Sequence, residues 1–285
     1  MNTNNPLIKK SDLGDAEIHF LHYPSDGPDL LLLHATGFLS WLWHPIASRL
    51  CSRFNIIAPD FYGYRKSDPH KGGLGWDILA HDLYRLCESI GLKNPSMAGH
   101  SMGGAVAVLC AALHDLNPER LLLIEPIFLP EIAYTALRTI QQHPLASKAI
   151  KRKNFWEDRD ELLSYIKSRN LFATWDEEMI ELYITHGFTE AENGSLKLVC
   201  SPSEEASLFM GSTALNPWPL LSEIKCPVLV LEGEKTGNRS FVDINRAMTL
   251  FKQGEYFEVK NAGHLIPMEQ PDTVYSLMNR FFTST

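Results

Sequence analysis

The first 125 residues alternate between short apolar runs and longer stretches with helical spacing. The apolar runs, which predict strands, are Leu30–Leu33, Asn55–Ala58, Pro95–Ala98 and Leu121–Ile124, after an alternating strand at Ala16–Tyr23. The stretches with helical spacing are Ser40–Leu50, Trp76–Ile90 and Met102–Leu113. Because strands that are apolar throughout need cover on both faces, this order is typical of an α/β protein with a mostly parallel, twisted sheet and helices on each side.

The alternation stops at about Pro126 and resumes near residue 215. The helices predicted in between are Glu131–Gln142, Asp158–Arg169, Asp176–His186 and Glu204–Met210. Thr174 and Glu177 have capping-box spacing, and Asn193-Gly194 predicts the turn of a hairpin near residues 188–199. The later elements are strands at Cys226–Leu231 and Tyr256–Val259 and helices at Ser240–Phe251 and Thr273–Phe282. We therefore predict a core formed by residues 1–125 and 215–285, with residues 126–214 inserted as a mainly helical cap.

A serine with a glycine two positions before it and another two positions after it lies between the strand at Pro95–Ala98 and the helix that begins at Met102. The sequence from Gly99 to Gly103, Gly-His-Ser-Met-Gly, matches the Gly-x-Ser-x-Gly nucleophile elbow. Such a tight turn needs glycine beside the serine, and it places Ser101 at a helix N-terminus that favours a developing anion. These five residues also fit an ordinary glycine-rich turn, so the rest of the chain must decide between the two interpretations.

A serine nucleophile needs a general base, and His264 is the best-placed histidine of the chain. It directly follows Gly263, just beyond the strand at Tyr256–Val259. That position is at the carboxyl edge of the predicted sheet, where Ser101 also lies and where parallel sheets bind ligands. The two residues therefore predict nucleophilic catalysis.

With these residues in place, the chain resembles the α/β-hydrolase fold superfamily over nearly its whole length. The segments that carry the resemblance are Leu31–Phe38, Ala58–Asp68, Gly99–Gly103 and Gly263-His264. The order of nucleophile, acid and histidine in that family implies that Ser101 is the nucleophile and His264 the base. Asp60, Gly63 and Ser67 match a turn of the family, which implies a structural role for them.

The resemblance also implies an oxyanion hole built from two backbone N–H groups. One belongs to the residue after the nucleophile, which is Met102 in this chain. The second comes from the loop that follows the strand at Leu30–Leu33. We predict Thr36 as that donor, with Phe38 as the alternative because the loop is longer than usual.

The acid of the triad is absent from its usual place in the family, a few residues after the strand at Val228–Leu231. That position holds Thr236, and threonine carries no negative charge to support an imidazolium. We predict Glu125 instead, because a carboxylate that ends a buried strand is costly unless it has partners, and some family members place their acid there. Glu234 is the main alternative, Glu232 and Asp243 also remain open, and so does a chain without an acid.

Composition narrows the range of partners. The chain has 285 residues, of which 45% are hydrophobic, and a formal net charge of −8, which disfavours nucleic acid and anionic membrane surfaces. No apolar run is long enough to span a bilayer, and the N-terminus lacks the apolar core of a signal peptide. The five cysteines are scattered without metal-ligand spacing. We expect a cytoplasmic protein that needs no metal or cofactor and acts on a small molecule, in an oligomeric state that the sequence does not reveal.

Serine at the elbow favours an acyl-enzyme over the alkyl-enzyme chemistry of relatives that use aspartate there. We expect hydrolysis of an ester, lactone or thioester bond, with carbon–carbon bond hydrolysis as an alternative. A ligand-binding protein on a hydrolase scaffold is the alternative outside catalysis. Large side chains predict a pocket for a moderately hydrophobic molecule, although aromatic residues of the cap can equally pack its own core. The candidate pocket residues are Phe38, Trp41, His100, Phe128 and Trp156.

Overall fold

The strands form one large sheet and one small sheet. The computed structural model describes residues 5–63, 65, 73–114, 116–135 and 138–284. The strands of the large sheet are β1 (Leu7–Asp12), β2 (Glu17–Tyr23), β3 (Asp29–Leu33), β4 (Asn55–Pro59), β5 (Ser96–His100), β6 (Leu121–Ile124), β10 (Val228–Gly233) and β11 (Gly254–Val259). The strands of the small sheet are β7 (Phe155–Trp156), β8 (Phe188–Glu190) and β9 (Leu196–Leu198).

The helices occur before, between and after these strands. The α-helices are α1 (His44–Leu50), α2 (Trp76–Ile90), α3 (Met102–Leu113), α4 (Ala146–Ala149), α5 (Arg159–Lys167), α6 (Glu177–His186), α7 (Pro202–Met210), α8 (Ile244–Leu250), α9 (Ile266–Glu269) and α10 (Pro271–Thr283). Short 3₁₀ helices occur at Ser40–Trp43, Glu131–Thr135, Asn170–Phe172, Gly211–Thr213, Trp218–Glu223 and Asn238–Ser240.

The large sheet has the strand order β1-β2-β4-β3-β5-β6-β10-β11. Strand β2 pairs antiparallel with both β1 and β4, and every other neighbouring pair in the sheet is parallel. The carboxyl ends of the parallel strands therefore meet at one edge. The predicted mostly parallel sheet is confirmed.

Helices cover both faces of this sheet because its central strands are apolar on both sides. Along β3, Leu31 and Leu33 pack into the hydrophobic cluster that contains residues of α2 and α3. Leu30 and Leu32 point the other way, into the cluster that contains residues of α1 and α10. All four leucines are fully buried. The uninterrupted apolar run in the sequence thus reflects a strand buried on each face.

The hydrophobic pattern did not predict β1. Leu7 and Ile8 are 50% and 71% exposed, so this strand has no buried face that could give a periodic signal. Its extended conformation comes from antiparallel pairing with β2, from Leu7 opposite His22 to Asp12 opposite Glu17. The strand therefore depends on its partner and not on its own side chains.

Residues 126–214 contain α4 to α7 and the small sheet. Strands β8 and β9 form an antiparallel hairpin, and Gly194 in its turn has φ 83°. The N-cap of α6 is Asp176, whose side chain accepts a hydrogen bond from the Glu178 N–H, so the capping box predicted from Thr174 is wrong.

The helix predicted at Glu131–Gln142 is also wrong. A 3₁₀ helix covers Glu131–Thr135, and residues 138–142 lie in no helix. Ile132 is 75% exposed although Ala133 is buried, so the apolar side of this segment packs only in part, and a short helix with little tertiary packing is marginal. Residues 136–137 of this predicted helix lie outside the described residues, as does Ser67 of the predicted turn. Within the part of the chain that is described, no helix has the length and hydropathy required to cross a membrane.

We predict that Gly103→Ala lowers the free energy of unfolding by about 1–3 kcal/mol or more, because α3 packs directly on the end of β3. A Cβ atom at Gly103 would lie 2.3 Å from the Leu33 carbonyl oxygen, and backbone cannot yield as a flexible side chain does. Urea unfolding measures the difference. The control is Gly237→Ala, whose added Cβ meets no atom within 4 Å and is expected to change stability by less than about 0.5 kcal/mol. Equal effects of the two substitutions would contradict the prediction.

Candidate active site

Ser101 occupies a strained turn between β5 and α3. Its φ of 55° and ψ of −113° lie outside the regions that residues with a side chain normally adopt. The turn is closed by the Ser101 N–H, which donates to the Ile124 carbonyl oxygen at 2.8 Å. Gly99 is required because a Cβ there would lie 2.3 Å from the Gly103 carbonyl oxygen. The strain is therefore held in place by tight packing around the serine.

The structure brings Ser101, His264 and Glu125 together in a line. The Ser101 Oγ lies 3.1 Å from the His264 Nε2, and the His264 Nδ1 lies 3.0 Å from the Glu125 Oε2. The side chain of Glu125 is 2% exposed, while that of His264 is 29% exposed. This arrangement gives the serine a base and gives the base an orienting carboxylate, with an open side at the histidine.

The sheet topology explains why residues 139 and 163 positions apart meet. Strand β5 lies beside β6, with His100 opposite Ile124, so the residues that follow the two strands are neighbours. Glu125 has φ 49°, and its N–H donates to the Leu231 carbonyl oxygen of β10 at 2.8 Å. His264 follows β11, the next strand of the sheet, and thus reaches the same edge.

The end of β10 and the loop after it supply hydrogen-bond donors to the buried Glu125 carboxylate. The Gly233 N–H donates to Oε1 at 2.7 Å, while the Thr236 hydroxyl and the Asn238 side-chain amide donate to Oε2 at 2.8 and 3.1 Å. Thr236, at the usual position of the acid, thus binds the acid that comes from β6. Sequence reasoning did not identify Asn238. The only available signal was a small polar residue close after the position that lacks a carboxylate.

The other candidate carboxylates have different partners. Glu234 accepts a hydrogen bond from the Asn261 N–H at 2.9 Å and forms an ion pair with Lys260. Glu234, the main alternative to Glu125, therefore holds the backbone a few residues before His264. The remaining two carboxylates are engaged elsewhere: Glu232 pairs with Arg239 and Tyr256, and Asp243 caps α8.

The loop after β3 forms a tight turn that distinguishes the two candidate oxyanion donors, the N–H groups of Thr36 and Phe38. The Phe38 N–H donates to the Ala35 carbonyl oxygen at 3.2 Å, and Gly37 has φ 76°, as the third residue of a type II turn requires. The Phe38 N–H is thereby occupied, whereas the Thr36 N–H has no backbone acceptor among the described residues. Met102 is the first residue of α3, so its N–H has no acceptor within the helix.

Two buried groups hold this loop against β4. The His34 Nδ1–H donates to the Ala35 carbonyl oxygen at 2.8 Å, and its Nε2 accepts from the Phe61 N–H at 2.9 Å. Burial lowers the pKa of His34 to about 4, so the ring is neutral, as both hydrogen bonds require. Asp60 accepts from the Ser40 N–H at 2.7 Å, and burial raises the pKa of its carboxyl to about 6.

His100 supports the backbone of His264 from a buried position. It is 2% exposed, and its Nε2–H donates to the His264 carbonyl oxygen at 2.9 Å. Burial is the main cause that lowers the pKa of His100 to about 3, and the nearby His264 lowers it further. The ring therefore stays neutral and its Nε2 is occupied, and substrate binding by His100 stays a prediction.

The other predicted pocket residues are mostly packed inside the protein. Phe128 is fully buried against Trp218, and Trp156 is 1% exposed. Both side chains pack in hydrophobic clusters, and a role in substrate binding stays a prediction for each. Trp41 stacks on His186 with ring centroids 3.7 Å apart and an angle of 2° between the planes. This contact joins the 3₁₀ helix at Ser40–Trp43 to the end of α6.

Phe38 is half-buried at the tip of the loop after β3. The centroid of its ring lies 5.4 Å from that of Trp175 and 6.0 Å from that of Tyr183. A cavity of about 10 Å³ lies beside it, also lined by His34 and His100. That volume holds one water molecule at most. Of the predicted pocket residues, Phe38 and Trp41 keep partial exposure. Among the residues described, no group of three or more His, Cys, Asp or Glu side chains is arranged to bind a metal ion.

A model of the alpha/beta hydrolase family matches residues 30–277. The chain belongs to this family. The match spans the strands that carry all three residues of the Ser101–His264–Glu125 line. Carboxylesterase YbfK of Bacillus subtilis strain 168 is 28% identical over 258 residues, which is 88% of this chain and 79% of that one.

The solved structure of E-2-(acetamidomethylene)succinate hydrolase superposes on this family member with a TM-score of 0.82. It is 20% identical and covers 98% of this chain and 100% of the other, a likeness that shows the shared fold. Protein Rv2715 of Mycobacterium tuberculosis strain H37Rv is 32% identical, but only over 98 residues. This chain thus spans 29% of the length of that relative.

We predict that Glu125→Gln lowers kcat for a p-nitrophenyl ester by about 10³–10⁴-fold, because glutamine keeps the shape but removes the charge that supports an imidazolium. The matched control is Glu234→Gln, which is expected to change kcat by less than about threefold because that carboxylate is exposed and paired with Lys260. Circular dichroism checks that both variants fold. Near-normal turnover by Glu125→Gln with a large loss in Glu234→Gln would reverse the assignment.

We also predict that stability falls as the pH drops below 6.5, in part through His100. The folded pKa is about 3 and the ordinary value is 6.5, so in this range the unfolded state binds more protons and acid favours unfolding. Between about pH 7 and pH 5, His100→Gln should lose roughly 2 kcal/mol less stability than the wild type does. Urea unfolding at both pH values measures this, with the exposed His81→Gln as control. The same pH dependence in wild type and His100→Gln would refute the prediction.

Proposed function

We propose that the protein is a serine hydrolase that cleaves an ester, lactone or thioester bond of a small, moderately hydrophobic molecule through an acyl-enzyme. The observation that carries this proposal is the position of His264, whose two ring nitrogens lie 3.1 Å from the Ser101 Oγ and 3.0 Å from the Glu125 Oε2. Each ring nitrogen thus has the partner that its role in acyl transfer requires.

In the first half of the reaction, the His264 Nε2 accepts the Ser101 proton while Oγ attacks the substrate carbonyl carbon. The N–H groups of Met102 and Thr36 bind the oxyanion that forms, and the buried Glu125 carboxylate stabilises the imidazolium. The carbon–leaving group bond then breaks, and His264 returns the proton to the leaving group. Water repeats the sequence on the acyl-enzyme, which releases the acid and restores Ser101.

Residues 126–214 act in this proposal as a cap over the site. Some of their contacts with the core lie beside the loop after β3 and the segment after His264, and others join α7 to Leu74 and Trp76. Trp175 packs on Phe38, and the Asp176 N–H donates to the Met268 carbonyl oxygen at 2.8 Å. These contacts support a closed state in which the aromatic side chains near Phe38 exclude water from the reacting atoms.

The proposed substrate class follows from the serine nucleophile and the surroundings of the site. The partly exposed ring of Phe38, which packs on Trp175 and Tyr183, gives the loop after β3 an apolar surface that suits an uncharged acyl or aryl group. The similarity to carboxylesterase YbfK over 88% of the chain supports hydrolysis of a carboxylic ester. The proposed reaction requires no cofactor.

Covalent labelling with a fluorophosphonate probe tests the activated serine. We expect the wild type to be labelled and Ser101→Ala to give no labelling, since the probe requires a nucleophilic Oγ. The matched control is Ser96→Ala at the start of β5, which is expected to keep the label. Absence of labelling in the wild type would contradict a serine hydrolase and favour a ligand-binding protein.

Turnover of a panel of esters, lactones, thioesters and vinylogous diketones tests the bond that is cleaved. We expect the highest kcat/KM for an oxygen ester or lactone, with loss of activity in Ser101→Ala. If the diketones alone were cleaved, the protein would be a carbon–carbon bond hydrolase and the proposed bond type would be wrong.

A further inference from the structure

The carboxylate of Glu205 lies against the loop that carries the proposed oxyanion donor. Glu205 belongs to α7, and a Cβ atom at Gly37 would lie only 2.6 Å from the Glu205 Oε1. Gly37 follows Thr36 directly and has φ 76° in the turn that the Phe38 N–H closes on Ala35. Helix α7 therefore brings a carboxylate to the backbone beside Thr36.

A negative charge at this place opposes the chemistry proposed for the loop. The N–H of Thr36 is proposed to bind an oxygen atom that becomes negative as the reaction proceeds, and a second negative charge nearby repels it. The Glu205 side chain is only 13% exposed, so water and salt screen its charge weakly. An uncompensated carboxylate beside the loop would thus raise the barrier of the proposed reaction.

Arg152 supplies the compensating charge. Its Nη1 donates to the Glu205 Oε2 at 2.8 Å, while Oε1 is the carboxylate oxygen nearest Gly37. Its Nη2 donates to the Tyr183 hydroxyl at 2.6 Å. Among the residues that the structure describes, Arg152 is the cation that forms an ion pair with Glu205, and its own side chain is 20% exposed. The guanidinium therefore fixes the carboxylate and offsets its charge.

Helix α7 is held on the core by bonds other than this ion pair. The Leu74 N–H donates to the Ser207 Oγ at 3.0 Å, and the Trp76 Nε1–H donates to the Leu208 carbonyl oxygen at 2.9 Å. These bonds fix the helix backbone from which the side chain of Glu205 extends. The carboxylate therefore stays near the loop after β3 whether or not its cation is present.

We propose that Arg152 is a positioning residue of the site, which holds the Glu205 carboxylate in place and neutralises it so that it does not oppose the oxyanion at Thr36. This inference rests on the proposed function, because the oxyanion forms only in that reaction. The effect belongs to kcat and not to KM, since the substrate carbonyl is uncharged when it binds and becomes negative in the transition state.

The kinetics of two single variants and their double variant on a p-nitrophenyl ester test this charge balance. We expect Arg152→Met, which leaves Glu205 unpaired, to lower kcat about 10-fold with little change in KM, less than the roughly 10²–10³-fold cost of removing an oxyanion donor. Glu205→Gln removes the charge and should change kcat by less than about threefold. The double variant is neutral again, so its kcat should lie within about threefold of the wild type although the ion pair is gone.

Arg159→Met is the matched control, because it breaks an exposed ion pair with Glu181 between α5 and α6. We expect it to change kcat by less than about twofold. Arg152→Lys keeps a cation and should recover most of the activity that Arg152→Met loses. Circular dichroism checks that each variant folds, and Arg152→Gln gives the same comparison if Arg152→Met does not fold.

A double variant no faster than Arg152→Met would overturn the proposal, because lost packing and not an exposed charge would then explain the defect. An unchanged kcat in Arg152→Met, or a loss confined to KM, would overturn it as well. In each of these results the wild type still turns over the ester, so the proposed function stands. Absence of turnover in the wild type would instead overturn the proposed function and this inference with it.

Discussion

The buried negative charge of Glu125 is the constraint around which the site is built. Glu125 is 3% exposed, and such a buried carboxylate is tolerated only if it is hydrogen-bonded; its partners come from two separate stretches of chain. The end of β10 and the loop after it supply the Gly233 N–H, Thr236 and Asn238, and the loop after β11 supplies His264. The hydrogen bonds to this carboxylate thus fix the loops after β10 and β11, and the fixed loops hold the His264 ring beside Ser101.

Neutral histidines stabilise the same edge of the sheet from within. His34 hydrogen-bonds the loop after β3 to the backbone after β4, and His100 hydrogen-bonds the end of β5 to the backbone of His264. Burial keeps both rings uncharged, because each has a pKa well below the ordinary value of 6.5. The positions on either side of the nucleophile are therefore held by uncharged hydrogen bonds, which leave the negative charge of Glu125 as the main electrostatic influence on His264.

The pattern of apolar residues predicted the buried elements well and the exposed ones poorly. Strand β3 and helix α2 gave clear signals because burial determines their side chains, whereas β1 forms through pairing alone. The aromatic residues illustrate a second limit. Phe128 and Trp156 suggested a pocket because hydrophobic composition is the same for a pocket and a core, and only three-dimensional packing shows that both are buried.

The sequence by itself determined the order of the buried strands and helices of the large sheet, the turn at Ser101 and the position of His264 just after a strand, because each depends on neighbours along the chain. It also narrowed the acid to a few carboxylates. Tertiary structure decided the rest, since strands β5, β6, β10 and β11 become neighbours only in the sheet. That adjacency brings Glu125 to His264, directs Glu234 to Asn261, and places the unpredicted Asn238 against the histidine ring. Hydrogen bonds between residues more than 100 positions apart leave no periodic trace in a sequence.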